Sequence, residues 1–232
     1  MTRISQHDQI AALTRGATLP LPPVGQDVLA IILESIAAAW SHLKTDCPRS
    51  LQLGSEAEIS ALLVTRLNES LNSDPVLSIL VSSVERGSET VTYSGDEIET
   101  RPDLQFSLTA QDKRFRLVGE AKIIDIPKRK TPKLYRQNGI ARFVSGKYAW
   151  ASREAIMLGY VRCSAKLDPD LLTGLSGFPD MHCASQSLVS VVTPPVTAGS
   201  LGTSRHNRIF SYVHCTPASP GAIDLWHLWL NV

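Results

Sequence analysis

Cysteine is scarce. Four occur among 232 residues, at Cys47, Cys163, Cys183 and Cys215, and none has CxxC spacing. They are too few and too scattered for a disulfide framework, and reduced thiols are the expectation for a cytosolic chain. Long apolar runs are missing too. None reaches the roughly 18 uncharged residues of a membrane span. The start, Met1-Thr-Arg-Ile-Ser-Gln-His-Asp, has no charged-then-apolar leader pattern. The expectation is a cytoplasmic protein without a membrane partner. No sign of charge dominates, the net being +1. No repeat or low-complexity tract is present, which excludes solenoid arrays.

A hydrophobic content of 43% supports a sizeable core, and 232 residues suit one domain with an elaborated edge. Residues 1–25 are polar and then Pro-rich, a lead-in arm. Residues 26–44 read as an amphipathic helix burying Val28, Leu29, Ile31, Ile32, Ile36, Trp40 and Leu43, ended by Cys47-Pro48. A second helix reads over 55–72. Ser55 is its N-cap, Glu58 completes a capping box, and Ile59, Leu62, Leu63 and Leu67 form its stripe. Residues 76–84 read as a strand or short connection. Thr90-Val-Thr-Tyr is hairpin-like and leads through Ser94-Gly95-Asp96 to Glu97, Glu99 and Arg101. A helix is expected over about 133–145, closed by Gly146, and a buried strand over 155–162. Farther on, 165–186 reads as loop and short helix. Residues 187–193, 208–214 and 223–230 read as strands, and 194–202 as a flexible loop. The expected fold is α/β (α+β): a mixed sheet flanked by helices in αβββαβ order, with extra C-terminal strands. Residues 26–165 would form the core, and 166–232 a β-rich extension packed on the same domain.

The chemistry concentrates between Pro102 and Lys122. Residues 103–109 and 114–122 read as two strands joined by a tight turn over Ala110-Gln111-Asp112-Lys113. With the turn centred between Gln111 and Asp112, Leu104 faces Gly119, Phe106 faces Leu117 and Leu108 faces Phe115 on one apolar face. The other face pairs Asp103 with Glu120, with Cβ atoms roughly 5 Å apart, and Lys122 points the same way. Two carboxylates that close repel unless a positive charge lies between them. Mg²⁺ suits such a pair, because it binds through one or two carboxylates plus waters and substrate phosphate. A neighbouring lysine could orient a water or neutralise a phosphate, so the pattern points to metal-assisted phosphodiester hydrolysis. The alternative is a surface hairpin with a cross-strand charge cluster.

Pro102-Asp103 with Glu120-Ala121-Lys122 resembles the PD-(D/E)XK nuclease superfamily, over about residues 50–165. The resemblance implies a restriction-endonuclease-like fold and a Mg²⁺-dependent DNA endonuclease, with Mn²⁺ able to substitute. It implies Asp103, Glu120 and the Ala121 backbone carbonyl as metal ligands, and Lys122 as the residue that positions the attacking water. It also implies an acid on the preceding helix. Glu56 falls on the apolar stripe and matches that acid; Glu58 is the capping residue or the alternative. Small nucleases of this kind occur in restriction and phage defence, as homodimers on substrate or beside an ATPase. The superfamily's glutamine helix is broken here, since Gln137 is followed four residues on by Ala141. Gly139 within that helix costs roughly 1 kcal/mol relative to alanine, and indicates a close approach of backbone or substrate, or a kink.

From Lys122 to Arg153 nine basic residues face one acid, a net of +8 over 32 residues. Such a segment attracts a phosphate backbone. Lys128, Arg129, Lys130, Lys133, Arg136, Gln137 and Arg142 are its candidate nucleic-acid contacts. Tyr135, Phe143, Tyr148 and Trp150 are interleaved with them as candidates for base stacking, Phe143 reading as core. Ser204-Arg205-His206-Asn207-Arg208 is a second small cluster that reads as a surface turn or a further DNA grip. Two other functions remain open: a non-catalytic nucleic-acid-binding or assembly subunit with the same fold, and a zinc-stabilised module built on His182-Cys183 and His214-Cys215.

Overall fold

The computed structural model describes residues 6–87, 101–189, 199–212 and 218–232. The hairpin-like stretch from Thr90, the acids Glu97 and Glu99, residues 190–198 and the pair His214-Cys215 lie outside them. The chain opens with helix α1 (Gln6–Thr14), so the arm is partly helical. Next come α2 (Gln26–Asp46), α3 (Pro48–Leu53), α4 (Glu56–Ser73) and α5 (Pro75–Leu80). Strands β1 (Val81–Glu85), β2 (Leu104–Leu108) and β3 (Leu117–Ile124) follow. Helices α6 (Pro132–Tyr135) and α7 (Ala141–Val144) lead to β4 (Glu154–Val161), and β5 (Cys183–Leu188), β6 (Gly199–His206) and β7 (Ile223–Asn231) complete the order.

Apolar side chains three and four apart make α2 and α4 pack together on one sheet face. Leu29, Ile32, Leu33, Ile36, Trp40 and Leu43 of α2 are buried with Ile59, Leu63 and Leu67 of α4. Val28, Ile31 and Leu62 are only half-buried at the edge of that contact. By length and composition α2 would also fit a membrane span, but here its stripe lies on the sheet. Trp40 stacks on Tyr160 of β4 with ring centroids 5.2 Å apart, and its Nε1 donates to the Asn231 carbonyl at 2.9 Å. Cys47-Pro48 ends α2 and at once starts α3, because proline suits a first helical turn. Ser55 and Glu58 form the expected capping box. Asp74 caps the amides of Val76 and Leu77, so Pro75–Leu80 winds into a helix before the chain extends into β1.

Among the described residues the seven strands form one mixed sheet, in the order β1-β2-β3-β4-β7-β6-β5. The β3–β4 and β4–β7 pairs are parallel; the others are antiparallel. The αβββαβ order is present. The C-terminal strands do not pack on it as a separate layer but continue its sheet, β7 lying directly beside β4.

The hairpin register is the expected one: Leu104 opposes Gly119, Gln105 opposes Val118 and Phe106 opposes Leu117. Its turn is not tight. Pairing across the hairpin stops at Phe106 and Leu117, and Phe115 leaves Leu108 to join Leu19, Leu21, Trp150 and Tyr212 in a separate apolar cluster. Arg114 donates to the carbonyls of Leu13 and Arg15 and so ties the loop to the arm.

Three other expectations are corrected. The helix over 133–145 is split by a π turn, Arg136–Ile140. Gly139 lies in that turn, where a Cβ would come within 2.5 Å of the Met157 Cε, so the glycine lets the turn lie close to β4. Residues 199–202 are strand, not loop; at Gly199 a Cβ would overlap the Trp229 carbonyl. The described part of 208–214 is irregular, because Arg208 turns inward and donates to the carbonyls of Ala149 and Trp150.

Trp40→Ala removes the largest wedge between α2 and the sheet and should lower unfolding free energy by about 3–5 kcal/mol, read by urea denaturation. Trp40→Phe keeps a ring against Tyr160 and loses the indole hydrogen bond, so it should cost about 1–2 kcal/mol.

Candidate active site

Residues distant in sequence meet at the middle of β3. The alternation of that strand sends Leu117, Ala121 and Ile123 toward α2 and α4, and Glu120 and Lys122 toward the opposite face. Asp103 lies one residue before β2, and its Oδ2 accepts the Ala121 N–H at 2.8 Å. Glu120 is 1% exposed. Lys122 is the hub: its Nζ donates to Glu120 Oε1 at 2.7 Å, to the Ala121 carbonyl at 2.7 Å and to Glu56 Oε2 at 3.1 Å. Glu56, in the first turn of α4, accepts the Ile123 N–H on its other oxygen at 3.3 Å. Glu58 points to the Ser55 cap instead.

A fifth ionisable group completes the cluster. Arg142 of α7 donates from Nη1 to Glu120 Oε1 at 2.8 Å and to the Tyr148 hydroxyl at 2.8 Å; that hydroxyl donates to the Arg101 carbonyl at 3.0 Å. Glu120 Oε1 thus carries two cations, while Oε2 is buried and no N–H or hydroxyl donor reaches it.

Burial pushes the Glu120 carboxyl up to about 7, the Asp103 charge adds to the rise, and Lys122 and Arg142 oppose it. Asp103 is raised as well, by burial first and also by Glu56, against Lys122, the Ala121 N–H and a hydrogen bond with the Glu120 carboxyl. Burial alone would lower Lys122, but Glu120, Glu56 and Asp103 together hold it above its ordinary value, so it stays an ammonium. Three carboxyl groups therefore face two cations. Fully ionised, they leave one negative charge in excess in a poorly solvated place.

That excess charge at the Asp103–Glu120 pair is what a shared proton or a divalent cation would offset. Among the described residues no three His, Cys, Asp or Glu side chains form a ready ligand set. The pair Asp103 and Glu120 would need backbone, water or substrate oxygens to complete a shell. The Ala121 carbonyl, expected as a third ligand, accepts the Lys122 ammonium instead.

The basic segment divides. Lys128, Arg129, Lys133 and Gln137 are exposed and Lys130 half-buried, around the turn that follows β3. Lys128 lies 3.3 Å from the buried Asp125. Arg136 is half-buried, its guanidinium lying 3.1 Å over the exposed Phe178 ring. Arg142 is committed to Glu120, with 37% of its side chain still open to solvent. Tyr135, Phe143, Tyr148 and Trp150 are all buried, so no base can stack on them without repacking the core. The 204–208 cluster is not a surface turn: Ser204 and His206 are buried on β6, Arg205 pairs with Asp224 at 2.6 Å, and Arg208 binds carbonyls. Cys183 Sγ lies 3.4 Å from the Ser185 carbonyl, a weak thiol contact.

Arg142 as a partner of Glu120 was not legible in sequence, because the π turn shifts the phase of the helix that carries it. Comparison with family models, with curated proteins and with solved structures finds no match for this chain.

The folded Glu120 holds its proton to about 7, above the ordinary 4.5 of an unfolded chain. Its stabilisation is complete at low pH and is lost as pH rises through that window, on the order of 3 kcal/mol. Asp103 acts in the same direction. Melts in EDTA should therefore show the melting temperature falling from about pH 5 to about pH 8. Glu120→Gln, which has no proton to lose, should flatten the fall; an equal slope in both proteins contradicts this assignment.

Proposed function

We propose that this chain is a Mg²⁺-dependent nuclease that hydrolyses phosphodiester bonds in DNA, in the manner of the PD-(D/E)XK superfamily it resembles. The observation that carries the proposal is the convergence of Glu56, Asp103, Glu120, Lys122 and Arg142 on one buried spot of the sheet. Burying so many ionisable groups costs stability that a plain apolar pairing would avoid. A carboxyl raised by burial and by a second carboxyl, with specific charge partners around it, is a candidate functional centre.

Asp103 and Glu120 would hold the ion. When bound, Mg²⁺ polarises a phosphoryl oxygen and lowers the pKa of water. Lys122 remains protonated at neutral pH, so it acts as a donor: it orients the attacking water and offsets charge that develops on the phosphate. Glu56 restrains the ammonium from the more solvent-exposed side. Arg142, braced by Tyr148, holds the Glu120 carboxylate in its rotamer. Lys128, Arg129, Lys130 and Lys133 grip the strand backbone beyond the end of β3.

Supercoiled plasmid with purified protein and MgCl₂ or MnCl₂ should be nicked, and EDTA should stop the reaction. Asp103→Ala and Lys122→Ala should each lower the rate by at least about 100-fold. No nicking, or nicking unchanged in both variants, contradicts the proposal. In EDTA, DNA binding should weaken with salt. Replacing Lys128, Arg129 and Lys130 together by alanine should reduce the log–log salt slope by about 2–3, as read by fluorescence anisotropy. An unchanged slope would place the nucleic acid elsewhere.

A further inference from the structure

We infer that the Lys122 ammonium is a built-in stand-in for the divalent ion: it occupies the cation seat in the ion-free protein, and ion binding displaces it toward the substrate. The inference rests on the metal-dependent reading above and concerns the regulation of that site. Its basis is the ligand set of Nζ. Glu120 Oε1, the Ala121 carbonyl and Glu56 Oε2 lie within 2.7–3.1 Å of it. Two of those oxygens belong to the carboxylate and the carbonyl that a divalent ion would need. An ammonium and an ion both on the Ala121 carbonyl would lie close enough to repel strongly.

The surroundings allow such an exchange. Glu120 is not left to swing when Lys122 departs, because Arg142 holds the same Oε1 at 2.8 Å and is itself held by Tyr148. Glu56 is the most exposed of the three acceptors, with 31% of its side chain open to solvent. The ammonium therefore has an acceptor that leads outward, toward the side from which a phosphate would arrive. Lysine would become available to substrate only when the ion is seated, so an unloaded site would not hold its catalytic donor in place.

Isothermal titration of Mg²⁺ into the wild type, Lys122→Met and Asp103→Asn tests this without substrate. Lys122→Met should bind Mg²⁺ about tenfold more tightly than wild type, since a competing cation is gone. Asp103→Asn should lose binding. Equal or weaker binding by a folded Lys122→Met overturns the inference. If that variant does not fold, ¹⁵N-lysine spectra of the wild type carry the test. The sheltered ammonium signal that Lys122→Arg deletes should be present without ion and vanish at saturating Mg²⁺; its persistence overturns the inference. Wild-type protein that binds no Mg²⁺ removes the nuclease reading and this inference together. Wild-type binding with no gain in Lys122→Met removes this inference alone.

Discussion

Glu120 brings a carboxylate into a sheet where only 1% of its surface meets solvent, and the elements around it are arranged to make that tolerable. Lys122 and Arg142 both address one oxygen, while Asp103 crowds it with like charge. Each partner is set by a different part of the fold. The strand's alternation aims Lys122, and α7 delivers Arg142. The close approach of the Gly139 turn to Met157 seats the segment between α6 and α7 against β4. The N-terminal turn of α4 is fixed by its own capping box, which leaves Glu56 free to reach the amide and ammonium beside it. Removing a partner would leave a buried charge uncompensated, which is a larger loss than the pair itself contributes.

The same arrangement links stability to chemistry. A metal-free centre with three carboxyl groups and two cations is relieved by keeping a proton on Glu120 near neutral pH. A divalent ion would relieve it more fully and release that proton. The centre is therefore expected to be less stable empty than loaded, while the scaffold under it is rigid. Trp40, Tyr160 and the carbonyl of Asn231 lock α2 to the sheet independently of the charged cluster.

Much of this was legible in sequence because it depends on period and register. Alternation in 103–109 and 114–122, with opposed residues at a fixed sum, gave the pairing of Leu104 with Gly119 and so the proximity of Asp103 and Glu120. Ser55 and Glu58 marked the helix start, and the wheel separated Glu56 from Glu58. What failed depends on distant contacts. Phe115 is as apolar as a strand residue, but the arm carrying Leu19 and Leu21 claims it. Gly199 and Gly202 read as loop, yet both pair with β7, where a Cβ would meet the Trp229 carbonyl or the Leu172 side chain. Basic residues read as one patch, yet Arg136 and Arg142 are committed to Phe178 and Glu120, and no local pattern distinguishes them from Lys128 or Lys133.

The most direct measurement is anomalous diffraction from a crystal soaked in Mn²⁺. The account predicts a peak bordered by Asp103 and Glu120, with the Lys122 ammonium moved off the Ala121 carbonyl. A site with no peak there, with Lys122 still on Glu120 and Ala121 at saturating Mn²⁺, would contradict it.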